Sequence, residues 1–315
     1  MSALKYLILL GFVSLGGVGA APQGAADRLV VNAVRFYQPE GRLTQVKAFI
    51  DIPATLLQAP ETGAVGVMTY LMDVRVRDST GLELVRNTWA GHLATAVRQS
   101  GAMAVEILDF ALAPGRYAIH VSVTDSATGA AATSELPIEG FRAEPEVSDL
   151  LLAPRIRQAG PGDSVVAPGE IRRGDLLITG VAELHLTPLR STVYYVLEAY
   201  SDSADSARLA VTVSNTKGEP VLSTPSSLVR LPKGGGVLTG AVDLAGLPAG
   251  SYQLSASLDV QGRTVRRSAP FTMADLASTI ARSDSLRASV LARSAIVNGA
   301  LRRTVRPGTS RDADS

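Results

Sequence analysis

The sequence predicts an all-β chain of two tandem β-sandwich domains followed by one amphipathic helix. Three features predict it: motifs that occur twice in the same order, apolar and polar residues that alternate along many short segments, and a change to helical spacing after Asp275. Internal repeats indicate duplicated domains, and a period of two indicates half-buried strands. The length agrees, because 315 residues correspond to two domains of roughly 150 residues each.

The composition narrows the functional classes. Hydrophobic residues make up 46% of the chain and charged residues 19%, which is typical of a globular protein. A net charge of +1 provides no overall field for nucleic acid, and 5% aromatic residues provide few stacking platforms for bases or sugars. Cysteine is absent, which excludes disulfides, thiolate catalysis and zinc bound by cysteine.

Residues 1–21 have the pattern of a bacterial signal peptide. Lys5 precedes an uncharged, mostly apolar run over 6–18, and small residues follow it. We therefore expect cleavage just before Pro22 and a location in the periplasm or outside the cell, with an uncleaved N-terminal anchor as the alternative. No later run is long and apolar enough to predict a transmembrane helix.

The first duplicated motif is a strand that leads into a tight turn. It spans 74–81, Val-Arg-Val-Arg-Asp-Ser-Thr-Gly, and 211–218, Val-Thr-Val-Ser-Asn-Thr-Lys-Gly. In both copies an Asp or Asn is followed by Gly three positions later, which is typical of a β-hairpin turn. The two copies predict that Gly81 and Gly218 occupy the same place in two related domains.

The second duplicated motif, Leu-x-x-Gly-x-Tyr, has its copies about 135 residues apart and opens a strand in each. We expect the Leu to fill the core, the Gly to permit the turn and the Tyr ring to be largely buried. The two hydroxyls should bond to backbone groups about four residues upstream, near Ala113 and Pro248. The structural residues predicted here are Leu112, Gly115, Tyr117, Leu247, Gly250 and Tyr252.

This element resembles the tyrosine corner of fibronectin type III and immunoglobulin-like domains. The resemblance implies that each half of the chain is a sandwich of about seven strands. In the first half, strands are expected at 29–37, 45–53, 65–77, 82–89, 103–110, 117–124 and 131–138. In the second half, strands are expected at 177–186, 191–200, 207–214, 219–224, 236–244, 252–260 and 264–272.

The domain boundaries follow from these strands. We place the first sandwich in 27–143, and a linker together with the second sandwich in 144–274. The bridge over 139–176 contains four prolines, which interrupt regular structure. Either domain is a candidate to pack against this bridge.

Beyond Asp275, the apolar residues recur at helical spacing. This predicts an amphipathic helix over 275–303 with Asp275 as its N-cap, and a disordered tail over 304–315. Several arginines give the helix a basic face. Two interpretations stay open: a helix that docks on the second sandwich or leads toward a further domain, and a helix that makes peripheral contact with a membrane surface or a partner.

No constellation of residues predicts catalysis or a cofactor. His92, His120 and His185 are far apart in the sequence, whereas a metal site needs several converging ligands. Asp202 and Asp205 form either a solvated acidic turn or a calcium site, because clustered oxygens suit hard cations. We therefore predict no catalytic, cofactor-binding or metal-binding residues, with this turn left open.

The chain resembles the N-terminal part of bacterial GWxTD domain-containing proteins over about residues 28–275. The resemblance rests on Arg-Phe-Tyr at 35–37, the corner at 112–117 and Ser-Asp-Leu-Leu-Leu-Ala at 148–153. The Gly-Trp-x-Thr-Asp sequence itself is absent, since Trp89 lies in Asn-Thr-Trp-Ala. The resemblance therefore implies an exported bacterial protein without defining its activity.

These features predict a non-enzymatic interaction or scaffold protein of the bacterial cell envelope. Its partner should be another envelope protein rather than nucleic acid, recognised by sandwich edges and end loops. The alternative is an accessory carbohydrate- or peptide-binding module of a secreted enzyme system.

Overall fold

The computed structural model describes residues 28–58, 66–95, 103–163, 165–203, 205–260 and 262–275. These residues form an all-β structure of several antiparallel sheets, without an α-helix. The described part of the chain holds no helix long and apolar enough to cross a membrane. The predicted signal peptide, the C-terminal helix beyond Asp275 and the tail lie outside the described residues.

The first half forms two antiparallel sheets around one core, which we call the first sandwich. Its strands are β1 (Val30–Gln38), β2 (Leu43–Pro53), β3 (Val67–Asp78), β4 (Glu83–Ala94), β5 (Met103–Leu112), β6 (Gly115–Asp125) and β7 (Ala131–Gly140). One sheet has the order β1-β2-β5 and the other β4-β3-β6-β7. Alternate apolar residues of β2, β3 and β6 are buried between the sheets, as a period of two requires.

The second half forms a second sandwich and a small third sheet. Its strands are β8 (Leu151–Ala153), β9 (Ile156–Gln158), β10 (Glu170–Arg173), β11 (Leu176–Thr179), β12 (His185–Leu186), β13 (Thr192–Ala199), β14 (Asp205–Asn215), β15 (Pro220–Ser223), β16 (Ser227–Leu231), β17 (Gly236–Asp243), β18 (Gly250–Val260) and β19 (Arg263–Met273). The second sandwich has one sheet of order β8-β13-β17, and a second sheet of order β12-β19-β18-β14 with both β15 and β16 on β14.

The two sandwiches have the same strand order, so the repeat in the sequence is a repeat in topology. β1-β2-β5 corresponds to β8-β13-β17, and β4-β3-β6-β7 corresponds to the order of β15/β16, β14, β18 and β19. Even an irregularity is shared. A register shift after Val76 leaves Leu84 as an extra residue in β4, and the equivalent shift after Val213 leaves Val221 as an extra residue in β15.

The duplicated turns also have the same hydrogen bonds. Oδ1 of Asp78 accepts from the backbone amides of Thr80 and Leu82, and Oδ1 of Asn215 accepts from those of Lys217 and Glu219. The glycines that close the turns have φ values of +88° at position 81 and +80° at position 218. Glycine is required there because a side chain disfavours this left-handed backbone.

The bridge between the sandwiches is more ordered than the sequence indicates. β8 opens the second sandwich, and β9, β10 and β11 form the third sheet in the order β10-β11-β9, which we call the junction sheet. The single strand expected at 177–186 is therefore wrong: β11 belongs to the junction sheet and β12 pairs in parallel with β19. Strands of two to four residues are too short to show a period.

The junction sheet closes a third core between the two sandwiches. Its residues come from the outer faces of the two sandwiches, from the junction sheet and from the segment between β11 and β12; they are Val34, Phe36, Phe49, Leu151, Ala153, Val196, Ile171, Ile178 and Ala182. As a result β2 and β13 are almost entirely buried on both faces. The two sandwiches share an apolar interface rather than a flexible linker.

Candidate functional sites at the domain junction and at an open sheet edge

The edge of β1 is covered by side chains and by one backbone amide, that of Asp149, which donates to the Arg35 carbonyl at 3.0 Å. The backbone amide of Ala33 donates to Asn32 Oδ1 at 2.9 Å, that of Arg35 to Asp149 Oδ2 at 3.0 Å and that of Tyr37 to the Tyr200 hydroxyl at 2.7 Å. Edge amides need such partners when they are covered. Two of these three partners come from beyond the first sandwich, so the junction occupies this edge.

Arg35 and Asp149 form the central ion pair of the junction. Nε and Nη2 of Arg35 donate to the two carboxylate oxygens at 2.7 and 2.9 Å, and Nη1 donates to the carbonyl oxygen of Glu139 at 2.9 Å. The guanidinium carbon lies 4.9 Å from the centre of the Phe141 ring. The hydrogen bond to Asp149 raises the pKa of Arg35 despite its partial burial. A shallow cleft of about 260 Å³ lies beside the pair.

This cleft is poorly suited to a charged ligand, because Arg35 and Asp149 bind each other and the Glu139 side chain pairs with Arg142. Both oxygens of Asp149 and all three nitrogens of Arg35 have partners within the protein. A ligand would have to replace a bidentate pair, which is among the strongest polar contacts in proteins. We therefore assign the ion pair beside this cleft a structural role at the junction and not a role in binding a ligand.

A second set of hydrogen-bonded polar side chains connects the two sandwiches at the junction, next to the third core. Nε of Arg173 donates to Glu198 Oε1 at 2.6 Å, Nη1 donates to Gln45 Oε1 at 2.6 Å, and the guanidinium lies over the Phe36 ring at 4.1 Å. The Tyr200 hydroxyl donates to Glu198 Oε2 at 3.0 Å, and burial together with this carboxylate raises the pKa of Tyr200. Because each of these side chains has a partner, this row of hydrogen bonds fixes the orientation of the two sandwiches.

Asp51 is the one buried side-chain group, among the described residues, with an unpaired oxygen. Its Oδ2 accepts from the backbone amides of Ala182 and Glu183 at 3.0 and 3.1 Å, whereas Oδ1 is buried without a partner. Burial raises the pKa of Asp51, and the two amide bonds oppose that rise. This carboxyl links β2 to the segment before β12 at an energetic cost to its charged form.

The two tyrosine corners have matching hydrogen bonds but are less buried than expected. The Tyr117 hydroxyl donates to the Ala113 carbonyl at 3.1 Å, and the Tyr252 hydroxyl donates to the Pro248 carbonyl at 2.9 Å. Both rings are half-buried, because each lies where its strand begins, at the end of a sandwich. Leu112 is buried, whereas Leu247 is only partly so. Tyr252 stacks on Phe271 with ring centres 5.6 Å apart.

The histidines and the acidic turn remain separate in space. His92 contacts Thr69, His120 lies 3.8 Å from Glu135, and His185 contacts Thr272. Within the described residues, no group of three His, Asp or Glu side chains is placed to hold a metal ion, and this includes the turn of Asp202 and Asp205.

One surface feature was not evident from the sequence: β4 is a long and open edge. It runs for 12 residues, beyond the predicted end at residue 89, and its partner lies on only one side in the described structure. In the second sandwich the corresponding edge is divided into β15 and β16 around Pro225. Proline interrupts an edge, whereas a continuous edge offers unpaired amides and carbonyls.

Comparison with known proteins identifies no family. No protein-family model matches the chain, and no curated protein is similar to it in sequence. Among solved structures, that of red sea bream transglutaminase is similar at 8% sequence identity and a TM-score of 0.23, over 81% of this chain and 34% of that chain. This chain therefore spans about a third of that protein's length. A similarity at this level carries no functional argument.

Proposed function

We propose that this chain is a non-enzymatic interaction or scaffold protein of the bacterial cell envelope, built from two fibronectin type III-like sandwiches. The strand order supports the sandwich type. In an immunoglobulin constant-type domain the fourth strand pairs in the sheet of the first, second and fifth strands. Here β4 pairs with β3 in the opposite sheet, and a tyrosine corner opens β6. The GWxTD resemblance has no matching family model.

One observation carries the functional proposal: the junction covers the β1 edge and holds the sandwiches together, while the β4 edge faces away from these contacts. The shared core and the Arg35–Asp149 pair support a fixed arrangement of the two domains. A fixed arrangement suits a scaffold, because ordering flexible domains on binding costs free energy. The open edge provides the surface on which a partner binds.

A photo-crosslinking amino acid at Ala90, in the middle of β4, tests this proposal in envelope preparations. The register gives a matched control: Ala90 pairs with Leu71 in β3, and the equivalent Arg208 in β14 pairs with Leu228. We expect one adduct of defined mass from Ala90 and none from Leu228. Equal labelling at both sites, or none at either, would contradict an interaction at this edge.

Export is a separate part of the proposal. Protein made in a Gram-negative host should begin at Ala21 or Pro22 on N-terminal sequencing, because the small residues before Pro22 suit signal peptidase. A protein in the cytoplasm that still begins at Met1 would contradict this location.

The alternative function is an accessory peptide-binding module of a secreted enzyme system, and the same open edge favours it. A carbohydrate ligand is less well supported, because in the described part of the chain no exposed large apolar residue is aromatic. Sugar sites rely on exposed aromatic rings. Identification of the protein crosslinked at Ala90 by peptide mass spectrometry distinguishes an envelope partner from a secreted enzyme.

A further inference from the structure

We infer that β4 binds an extended segment of a partner protein as an added antiparallel strand, with carboxylates on the segment's outer face and β-branched apolar side chains on its inner face. This inference rests on the proposed function and specifies the chemistry of the partner. It depends on three features of β4: backbone groups that face away from β3 and have no strand beside them among the described residues, the apolar residues along its inner side and the arginines beside its outer face.

The hydrogen-bond pattern shows which amides of β4 face outward. The amide of Thr95 donates to the Gly66 carbonyl at 2.9 Å, so odd-numbered residues at this end of β4 bond to β3. The amide of Ser126 donates to the Thr69 carbonyl, which shows that Thr69, opposite His92, bonds to β6 instead. Since the two kinds of pair alternate, the outward groups belong to Arg86, Thr88, Ala90 and His92.

The inner side of the edge is apolar and only partly covered. Val85, Trp89 and Leu93 are half-buried and pack against the core of the first sandwich from the last strand of its sheet. Alternate side chains of an added strand would lie beside them and complete their burial. Burial of aliphatic side chains there would remove apolar surface from water, and β-branched residues fit a pleated, half-buried strand best. This side therefore favours β-branched apolar residues.

The outer side of the edge is positively charged at its surface. Exposed side-chain fractions are 56% for Arg86, 45% for Arg77 and 31% for Arg75, against 18% for Asp73 and 32% for Glu83. The two most exposed charges are therefore the guanidinium groups of Arg86 and Arg77. Asp73 is the least exposed charge and pairs with Arg75 and Arg86, and Glu83 pairs with Arg77. Carboxylates on the added strand would find complementary charge here.

A second copy of this chain does not fit as well. An antiparallel pair of β4 strands would have to use the regular part of each strand, 85–94, because the bulge at Leu84 distorts the other end. This stretch contains no Asp or Glu; its charged or titratable residues are Arg86 and His92. A second β4 would therefore bring no carboxylate to the exposed arginines, whereas an acidic partner segment would.

The experiment uses the full mature chain and a labelled eight-residue peptide, Val-Thr-Ile-Thr-Val-Glu-Val-Glu, designed to pair antiparallel with 86–93. A matched peptide has Lys at both Glu positions. By fluorescence anisotropy, we expect the Lys peptide to bind about five- to tenfold more weakly to the wild-type chain, as exposed pairs contribute modestly. Arg86→Glu should reverse the order of the two peptides.

Two substitutions at one position separate the backbone from the side chain. Ala90→Pro removes an outward amide and should weaken binding of the Glu peptide by at least about tenfold, the effect of one lost hydrogen bond with added steric conflict. Ala90→Val keeps the amide and should keep binding. If Ala90→Pro fails to fold, the Arg86→Glu variant still tests the inference through the order in which the two peptides bind.

Three results would overturn the inference: equal binding of the two peptides, unchanged binding to a folded Ala90→Pro variant, and a dimer in sedimentation that Ala90→Pro dissociates. The last would show that β4 binds a second copy. An Ala90 crosslink without any peptide preference would leave the interaction function standing and reject only this partner chemistry.

Discussion

The fourth strand is continuous in the first sandwich and divided in the second. Both begin with the same Asx turn and the same bulge, at Leu84 in one and at Val221 in the other. After the bulge β4 continues to Ala94, whereas β15 ends at Ser223 and β16 begins after Pro225. The turn and the bulge are therefore duplicated, whereas the edge strand that follows them differs between the two sandwiches. Edges diverge freely because no neighbouring strand constrains them.

The edges of the first sandwich differ from one another in a related way. The amides of β1 are capped by Asp149 and Tyr200 at the junction, while those of β4 face outward. A capped edge should contribute to stability, and an open edge should contribute to binding with little effect on stability. Substitutions at the two edges can break or sharpen this contrast.

The largest effect is expected at the capped edge. Asp149→Ala removes both bonds to the Arg35 guanidinium and leaves its backbone amide without a partner. We expect a loss of about 3 kcal/mol in the free energy of unfolding by urea, toward the low end for buried pairs because both side chains are partly exposed. Asp149→Asn, which keeps an acceptor, should cost less. If Asp149→Ala lowered the free energy of unfolding by less than a surface substitution on β4, the contrast between the capped β1 edge and the open β4 edge would be contradicted.

The tyrosine corners should show the next largest effect and should behave alike. Tyr117→Phe and Tyr252→Phe each delete one hydroxyl bond and should cost about 0.5–1.5 kcal/mol. The alanine variants should cost about 2–3 kcal/mol, less than a fully buried ring, because both rings are half-buried. Tyr252→Ala should be the more costly, since that ring also stacks on Phe271. Urea melts of the full chain measure all four variants.

The pH dependence should have opposite signs at two carboxyl groups. The raised pKa of Asp51 means that this carboxyl binds its proton more tightly in the folded state than in the unfolded state. The contribution of Asp51 to stability is therefore most favourable at low pH. It is lost as pH rises from the ordinary pKa of 3.8 through the raised value. Asp51→Asn should therefore gain stability relative to the wild type as pH rises through this range. A constant difference across the range would show that Asp51 titrates normally.

Asp163 provides the matched control. Hydrogen bonds from Arg157 lower its pKa to about 2, so its stabilising contribution is present above the ordinary value of 3.8 and is lost as pH falls toward 2. Asp163→Asn should lose stability relative to the wild type above this window and approach it in acid. The free energy of unfolding measured between pH 2 and 7 reports on both carboxyl groups. If the stability difference between variant and wild type changed with pH in the same direction for both, the two pKa assignments would be contradicted.

The smallest effect is expected at the open edge. Ala90→Pro removes an amide that faces away from β3, so the β3–β4 ladder keeps its bonds, and the free energy of unfolding should change by less than about 1 kcal/mol. The same substitution at Val74, in the middle of β3, should unfold the first sandwich because it removes a ladder bond. A severe effect of Ala90→Pro on stability would show that β4 is not an open edge.

Sequence patterns predicted those features that depend on neighbours in the chain. The turns at Asp78 and Asn215, the tyrosine corners and the seven strands of the first half lie where residue type and period place them, except that β4 continues to Ala94, beyond its predicted end at residue 89. Each depends on contacts within a few residues, or on alternation along one strand. β8 was not predicted, because three consecutive buried residues have no period to read.

The tertiary structure alone decided which faces and edges are covered. β2 reads as an ordinary half-buried strand, yet its outer face is buried by residues more than 100 positions away, among them Ile178 and Val196. The partners of Arg35 and Asp51 likewise come from distant segments, so no local pattern points to them. An edge is open or capped according to what packs beside it, and packing between remote segments is a property of the folded chain rather than of any stretch of sequence.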